Sequence, residues 1–166
     1  MTMVHPDIQK IYDECLTQED QLVFPSFSRA DALTLGLAVL DLAKAFPDPV
    51  AVSITLNGLC VFRHFADGAR LDSEYRLDRK RRSVELMNMS SLRFRCWLEL
   101  EDQTLDDRKV DPDQYALYGG GFPILLKGTG MIGSVCISGL PNHLEDHQIV
   151  VDALSALLRT KSRTSE

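Results

Sequence analysis

Residues 50–65 read VAVSITLNGLCVFRHF, two alternating runs separated by the dipeptide Asn57-Gly58. Asn-Gly favours a type I′ turn, in which both central residues take positive φ, so this stretch predicts a β-hairpin with a two-residue loop. Pairing across that loop predicts one core-facing set of opposed residues: Leu56/Leu59, Ile54/Val61, Val52/Arg63 and Val50/Phe65. The predicted opposite face is small and mixed, typical of a partly covered or pocket-lining surface, and consists of Thr55/Cys60, Ser53/Phe62 and Ala51/His64.

A second hairpin is predicted downstream, where FPILLK and MIGSVCIS flank the turn Gly128-Thr129-Gly130. A shorter apolar run, Leu22 to Phe24, ends at Pro25. Strands that are joined mainly by tight turns form antiparallel sheets, and helices must cover the apolar faces of such a sheet. The sequence therefore predicts an α/β (α+β) fold, with an antiparallel sheet of about five strands flanked by helices.

Helices are predicted on both sides of the first hairpin. An amphipathic pattern over residues 7–18 precedes a second helix, which Ser28 caps with Asp31 at the third helical position and which Pro47 ends. Because this second helix is apolar around most of its circumference, we expect it to be largely buried. The remaining predictions are helices over 72–90 and 91–100, an exposed loop over 101–114, and a last helix opened by Asn142 with the core stripe Leu144, Val151, Leu154 and Leu158.

Length and charge limit the classes of function. The chain has 166 residues, with 18 Lys and Arg against 24 Asp and Glu, for a formal charge of −6. We expect one domain over residues 1–160 and a polar, frayed tail over 161–166. The acidic balance argues against a general nucleic-acid or membrane partner, because both need a basic surface. A cytoplasmic location is expected, since no apolar run reaches roughly 18 residues and the N-terminus lacks a signal-peptide pattern.

The cysteines predict no metal centre. Four of them are present, and none shows a CxxC or Cys/His ligand spacing. In a reducing compartment such residues are typically small buried hydrophobes, which is our expectation for Cys15, Cys60, Cys96 and Cys136.

The segment 119–154, GGGFPILLKGTGMIGSVCISGLPNHLEDHQIVVDAL, resembles the C-terminal signature of the haem-degrading-domain (GlcG/HbpS-like) superfamily. Upstream, Arg79-Lys80 followed by Ser90-Ser91 is similar to the Arg-Lys…Ser-Ser pattern of one branch of it. The resemblance implies a profilin-like layout, assembly into a symmetric homo-oligomer, and haem as the candidate ligand or cofactor. Two positions depart from the family pattern: Tyr75 stands where we expect Trp, and Tyr118 stands where relatives often place His. The second departure removes an imidazole, although a phenolate also ligates ferric haem.

Lys80 is the first candidate site residue, because it interrupts an apolar helical stripe with a charge. Leu77, Lys80, Val84 and Met87 share one helix face at alternating spacings of three and four. One interpretation is a lysine whose stem covers apolar surface while its ammonium reaches water. The other is a lysine at a pocket floor that meets an anion such as a carboxylate or propionate. The sequence leaves both open.

The other candidate residues surround Lys80 in this interpretation. Arg76, one helical turn earlier, offers a fork for a carboxylate, and most of the neighbouring arginines are expected on a solvated face. Glycines 119–121 either let a ligand approach the backbone or mark an irregular entry into a strand. His147 and His64 are lesser candidates for ligation. The predicted ligand-binding set is Lys80, Arg76, Tyr118, Gly119, Gly120, Gly121, Phe122 and His147.

Three functions fit this pattern. The first is a small-ligand-binding protein that holds haem or another carboxylate-bearing molecule near Lys80 and Gly119–Gly121. The second is an enzyme that degrades haem or acts on a small carboxylic acid in the same pocket. The third is an oligomeric adaptor without small-molecule chemistry. No Ser-His-Asp or Cys-His catalytic set follows from the spacing, and Ser90-Ser91 is expected to end or kink a helix.

Overall fold

The computed structural model describes residues 6–164, and residues 1–5 and 165–166 lie outside the described part. The elements follow one another as α1 (Pro6–Gln21), β1 (Val23–Phe24), α2 (Arg29–Ala43), β2 (Ala51–Leu56), β3 (Leu59–Phe65), α3 (Leu71–Met87), α4 (Ser91–Leu100), a short 3₁₀ turn (Pro112–Gln114), β4 (Gly121–Leu126), β5 (Gly130–Ser138) and α5 (His143–Thr164). The last helix continues into the segment 161–166 that the sequence assigns to a polar tail. Within residues 6–164, no helix is long and apolar enough to cross a membrane.

The five strands form one sheet in the order β1-β4-β5-β2-β3. The predicted α/β fold with a mostly antiparallel sheet is confirmed, since β2, β3, β4 and β5 pair antiparallel. The strand β1 departs from the prediction, because it pairs parallel with β4, Val23 lying opposite Leu125. Tight turns impose antiparallel pairing only on the strands they join, and β1 leads into α2 instead.

Helices cover both faces of the sheet. On one face α2 and α5 bury the main core, in which Leu35 and Leu154 pack against strand residues such as Ile54 and Ile137. On the other face α3 places Leu77 against Ala51 and Cys136. The sheet is thus the middle layer, and α3 and α5 approach β4 and β5 from opposite sides.

The first hairpin has the predicted turn and a different register. Leu56 lies opposite Leu59 and Thr55 opposite Cys60, but Ile54 then pairs with Phe62 rather than with Val61. The predicted pairing is therefore wrong beyond the first two pairs, because Val61 is the extra residue of a β-bulge. Each later residue of β3 changes face.

Side-chain packing on both faces accounts for the bulge. The Phe62 ring lies against Gly36 of α2, where a Cβ atom would come within 2.6 Å of it. Arg63 now points to the α3 face, where its guanidinium contacts Glu74 at 2.9 Å. His64 shares the α2 face with Val52, its partner across the hairpin. An aromatic ring and an ion pair thus determine a register that the turn alone does not.

Helix starts are predicted well, and helix burial less so. Ser28 and Asp31 form the expected capping box. However, α2 is not buried all round, because only one of its faces meets the sheet: Leu33 and Leu37 are 53% and 55% exposed. In α5 the predicted core residue Leu144 is 41% exposed.

The cysteine prediction is correct at three positions and wrong at one. All four thiols are free, and Cys15, Cys96 and Cys136 are buried. Cys60 is exposed. It lies on β3, the edge strand of the sheet that residues 6–164 form, so that one flank of the hairpin meets solvent.

Candidate functional site

The Lys80 side chain points into the protein and is only 4% exposed. Its ammonium donates a hydrogen bond to the carbonyl oxygen of Ile137 at 2.7 Å and lies 3.3 Å from Oδ2 of Asp146. The helical stripe predicted for α3 is confirmed at Leu77 and Val84, which are fully buried, whereas Met87 is half-buried. The anion that meets this lysine is therefore a carboxylate of the same chain.

Burial governs the charges of this pair. Burial raises the pKa of Asp146 to about 6, against the lowering effect of the nearby Lys80. Burial also lowers the pKa of Lys80, against the raising effect of Asp146. Removing two charged groups from water costs free energy that their attraction offsets only in part. The pair joins α3 to the first turns of α5.

The glycine run packs against atoms of the protein. A Cβ at Gly119 would lie 2.5 Å from the carbonyl oxygen of His143, and one at Gly120 would lie 2.5 Å from that of Ile137 and 2.9 Å from Nζ of Lys80. Gly120 also has a φ of +122°, which side-chain-bearing residues rarely adopt. These glycines let the entry of β4 pass between α3 and α5.

Two serines shape the approach to this loop. Ser90 caps the start of α4 by accepting a hydrogen bond from the amide of Arg93, so it begins a helix rather than ending or kinking one as predicted. Ser91 is completely buried, where its hydroxyl donates to the carbonyl oxygen of Tyr118 at 2.5 Å and accepts from the amide of Gly121 at 3.0 Å. The hydroxyl thus ties both ends of the glycine run to α4.

A polar and aromatic surface lies directly outside this loop, and we call its three residues, Tyr118, His143 and Arg95, the Tyr118 face. The Tyr118 ring is 55% exposed and meets the His143 ring edge-on, at a centroid distance of 5.5 Å. The Arg95 guanidinium lies over the Tyr118 ring, 5.5 Å from its centroid, and donates to the carbonyl oxygen of Leu117. A cation and two aromatic rings therefore adjoin one another at the surface.

The tautomer of His143 follows from its backbone contact. The amide of Gly119 donates to Nδ1 of His143 at 2.9 Å, so Nδ1 carries no proton. Burial, Arg95 and Lys80 all lower the pKa of His143, which favours the neutral ring. A neutral imidazole with a bare Nδ1 carries its proton on Nε2. His143 is thus a hydrogen-bond donor rather than a ready metal ligand.

His147 is enclosed beneath α1. It is 4% exposed, and its Nε2 lies 2.7 Å from Oε1 of Gln18, with Sγ of Cys15 at 3.8 Å. Burial lowers the pKa of this imidazole to about 4, so it is neutral near pH 7. Its ring packs against Phe122 at a centroid distance of 5.8 Å.

The structure brings together all the predicted site residues except Arg76. Lys80, Tyr118, Gly119, Gly120, Gly121, Phe122 and His147 lie where α3, α5 and the start of β4 meet. Arg76 instead pairs with Asp72 and is 47% exposed.

The predicted site set left out three residues of this neighbourhood, and two of them left a signal in the sequence. Asp146 and His143 belong to a dense titratable cluster, which a favourable helix N-terminus explains equally well. Arg95 is one of several arginines in α3 and α4, and only the folded chain distinguishes it from the rest.

Comparison with known protein families gives a consistent result. Residues 27–155 match the family model described as "Haem degrading protein HbpS-like". The chain belongs to the HbpS-like family. Among its relatives, a UPF0303 protein of Streptomyces avermitilis is 38% identical over 146 residues, which span 87% of this chain and 89% of that protein. The UPF0303 protein P4H10.12 of Schizosaccharomyces pombe is 35% identical over 158 residues, or 93% and 88% of the two chains.

Solved structures of similar proteins extend this relation to the fold. The crystal structure of Ybr137w protein matches 97% of this HbpS-like chain and 99% of its own, with a TM-score of 0.82 and 27% identity. A crystal structure described as a PduOC:Heme complex matches 77% of this chain and 94% of its own, with a TM-score of 0.59 and 23% identity. The second likeness is one of fold alone.

Proposed function

We propose that this HbpS-like protein binds a small anionic, carboxylate-bearing ligand, with haem the first candidate, and that it acts as a homo-oligomer. The family membership and the haem named in the description of the PduOC structure support this choice of ligand. The observation that carries the proposal is the Tyr118 face. It combines a guanidinium and an imidazole donor with an exposed aromatic ring.

The Tyr118 face suits a planar molecule that bears carboxylates. The Arg95 guanidinium donates from Nη1 to Leu117 and lies 3.6 Å through Nε from Oε1 of Glu99, so a carboxylate such as a haem propionate would meet Nη2 or displace Glu99. The Nε2–H group of His143 has no hydrogen-bond partner within residues 6–164 and adds a second donor. The exposed ring of Tyr118 offers a surface on which a flat ligand stacks.

Tyr118 is also the candidate iron ligand at this face. A phenolate oxygen is one of the protein groups that hold haem iron. His143 is poorly suited to that role, because ligation through Nε2 would move its proton to Nδ1, against the amide of Gly119. In this proposal Lys80 and the glycine run do not contact the ligand. They hold the loop that presents Tyr118.

The homo-oligomer part of the proposal is supported by apolar side chains left at the surface. Leu71 and Tyr75 lie one turn apart on α3 and are 64% and 58% exposed. Replacing both with glutamate would place two charges in a subunit contact there. We expect Leu71→Glu combined with Tyr75→Glu to lower the molar mass measured by light scattering, and an unchanged mass would exclude this face.

Titration with ferric haem tests the ligand site. We expect a saturable change in the Soret band, with Arg95→Gln weakening binding about tenfold, or about 1.4 kcal/mol. Tyr118→Phe should alter the position of the Soret band by removing the candidate iron ligand. Iron-free protoporphyrin IX should lose affinity in Arg95→Gln but bind Tyr118→Phe as it binds the unmodified protein.

The matched control is Tyr12→Phe, which removes the same hydroxyl from a half-buried tyrosine of α1 outside the Tyr118 face. If Tyr118→Phe and Arg95→Gln titrate like this control, the Tyr118 face is not the site. Incubating the haem complex with a reductant and oxygen then separates binding from turnover, since only an enzyme would bleach the Soret band at a rate above that of free haem.

A further inference from the structure

A cleft on the α2 side of the sheet is separate from the Tyr118 face. It opens between the C-terminal half of α2, the segment 44–50 and the end of β3, and it has a volume of about 770 Å³. Ligand pockets for small organic molecules typically measure roughly 300–1,000 Å³. We call it the α2–β3 cleft.

The walls of the α2–β3 cleft are apolar. Leu37 and Leu40 line it from α2, Phe46 from the segment that follows, and Val50 from the entry to β2. Leu37 is 55% exposed and lies on the part of α2 that does not meet the sheet. An apolar body placed in this cleft would remove that side chain from water.

The β-bulge at Val61 places a titratable side chain in this cleft. Without the bulge, His64 would face α3; with it, His64 shares the α2 face with Val52 and lines the cleft. Bulges re-aim side chains in this way next to functional sites. The imidazole offers a hydrogen-bond acceptor beside the apolar side chains of the cleft.

The charges at the cleft are predominantly negative. Asp41, Asp48 and Asp67 line it together with one cation, Lys44. Lys44 already pairs with Asp41 at 3.3 Å. Asp48 and Asp67 have no ion pair or hydrogen bond to another side chain in the described structure. Two carboxylates are therefore left without a cation beside an apolar wall.

We propose that the α2–β3 cleft binds a small organic cation, an amine or ammonium carried on an apolar body. The apolar walls would receive the body, while Asp48, Asp67 and the acceptor of His64 would meet the cationic group. A bare metal ion fits less well, because the residues described contain no cluster of three or more metal-ligating side chains. This ligand has the opposite charge from the one proposed for the Tyr118 face.

Three probes that differ only in their polar group test the proposal. They are 2-phenylethylamine, 2-phenylethanol and 3-phenylpropanoate, each titrated to about ten millimolar while backbone amide signals are followed by NMR. We expect the amine to shift the signals of residues 37–50 and 64–67 and to bind at least tenfold more tightly than the carboxylate. Equal shifts from all three probes, or none from the amine, would overturn the proposal.

Charge-removing variants locate the binding group. Asp48→Asn combined with Asp67→Asn should weaken amine binding at least tenfold and leave binding of the neutral alcohol unchanged. Asp106→Asn combined with Glu101→Gln is the matched control, since it removes two exposed carboxylates outside the cleft. A control variant that loses affinity as strongly would mean that only the overall charge attracts the amine.

A second copy of this chain is the competing occupant of the cleft. If the signals of residues 37–50 shift on dilution of the protein without any probe, the cleft is a subunit contact and the proposal is wrong. Signals that are independent of dilution, together with selective binding of the amine, support a ligand site.

Discussion

Two buried ion pairs use similar chemistry in different parts of the molecule. Lys80 and Asp146 are 3.3 Å apart, with side chains 4% and 3% exposed, and join α3 to α5. Arg93 and Glu19 are closer, at 2.7 Å, with side chains 17% and 5% exposed, and join α4 to α1. The first pair lies inside the region matched by the family model, whereas Glu19 precedes it.

A shorter distance between the charges does not give the carboxyl group the lower pKa, and burial outweighs the attraction of the nearby cation in both pairs. Burial raises the pKa of Glu19 to about 7 and that of Asp146 to about 6, and it is the largest effect in both. The shorter pair thus contains the carboxyl group with the higher pKa. What distinguishes Lys80 is its second partner, the carbonyl oxygen of Ile137 on β5, which ties the pair to the sheet.

Breaking the Lys80–Asp146 pair should have the largest effect on stability. Asp146→Leu leaves the Lys80 ammonium buried without its carboxylate, and loss of one member of a buried pair costs about 3–5 kcal/mol. We expect that decrease in the free energy of unfolding, measured by urea denaturation at pH 7. If Asp146→Leu lowered the free energy of unfolding by less than Glu19→Leu does, the Lys80–Asp146 pair would not be the more important of the two.

The double variant separates lost attraction from stranded charge. Lys80→Met combined with Asp146→Leu fills similar volume without any buried charge, so we expect most of the stability to return. If the double variant is as unstable as Asp146→Leu alone, the loss of stability comes from disturbed packing around Gly120 and not from the buried charge.

The pH dependence should show the next largest effect and distinguish the two carboxyls. A raised pKa means that the folded protein holds the proton more tightly, so the stability from this group is fully present below the unfolded pKa and is lost as the pH rises through the folded one. For Glu19 the loss runs from about pH 4.5 to about pH 7. For Asp146 it runs from about pH 3.8 to about pH 6.

Amide variants isolate these two windows. Glu19→Gln cannot titrate, so the unmodified protein should lose up to about 3 kcal/mol relative to it between pH 4.5 and pH 7. The corresponding difference for Asp146→Asn should end about one pH unit lower. Urea denaturation at half-unit intervals of pH measures both curves, and coincident windows would contradict the comparison.

Much of the fold was predictable because local rules determine it. The Asn57-Gly58 turn, the Ser28 capping box and the hairpin after β4 each rest on a few neighbouring residues. The β-bulge at Val61 was not predictable, since it depends on Phe62 packing against Gly36 in another element. The parallel pairing of β1 was not predictable either, since β4, its partner, is distant in the chain.

The candidate site was predictable as a neighbourhood and less so as a set of contacts. An interrupted apolar stripe predicted that Lys80 was unusual, but its partner Asp146 lies 66 residues away. A carboxylate in the first turns of a helix is ordinary, so its sequence position carries no sign of that partner. The pair Arg93–Glu19 was missed because α1 docks on α4 through a contact that spans 74 residues.

The smallest expected effect concerns how α1 is held over His147. Gln18→Ala removes the acceptor from Nε2 of His147 and leaves this buried donor only the weak contact with Sγ of Cys15 at 3.8 Å, which costs about 1–3 kcal/mol. The other contacts of α1 are mainly with α4, so this helix should open before the sheet does. We therefore expect faster amide hydrogen exchange in residues 7–21, with exchange in β2 and β5 unchanged. Gln9→Ala is the matched control, since Gln9 bonds only Asp13 within its own helix. Uniformly faster exchange across the protein would show instead that α1 unfolds together with the sheet. The two ion pairs would then differ in their position and not in the stability of the elements that they join.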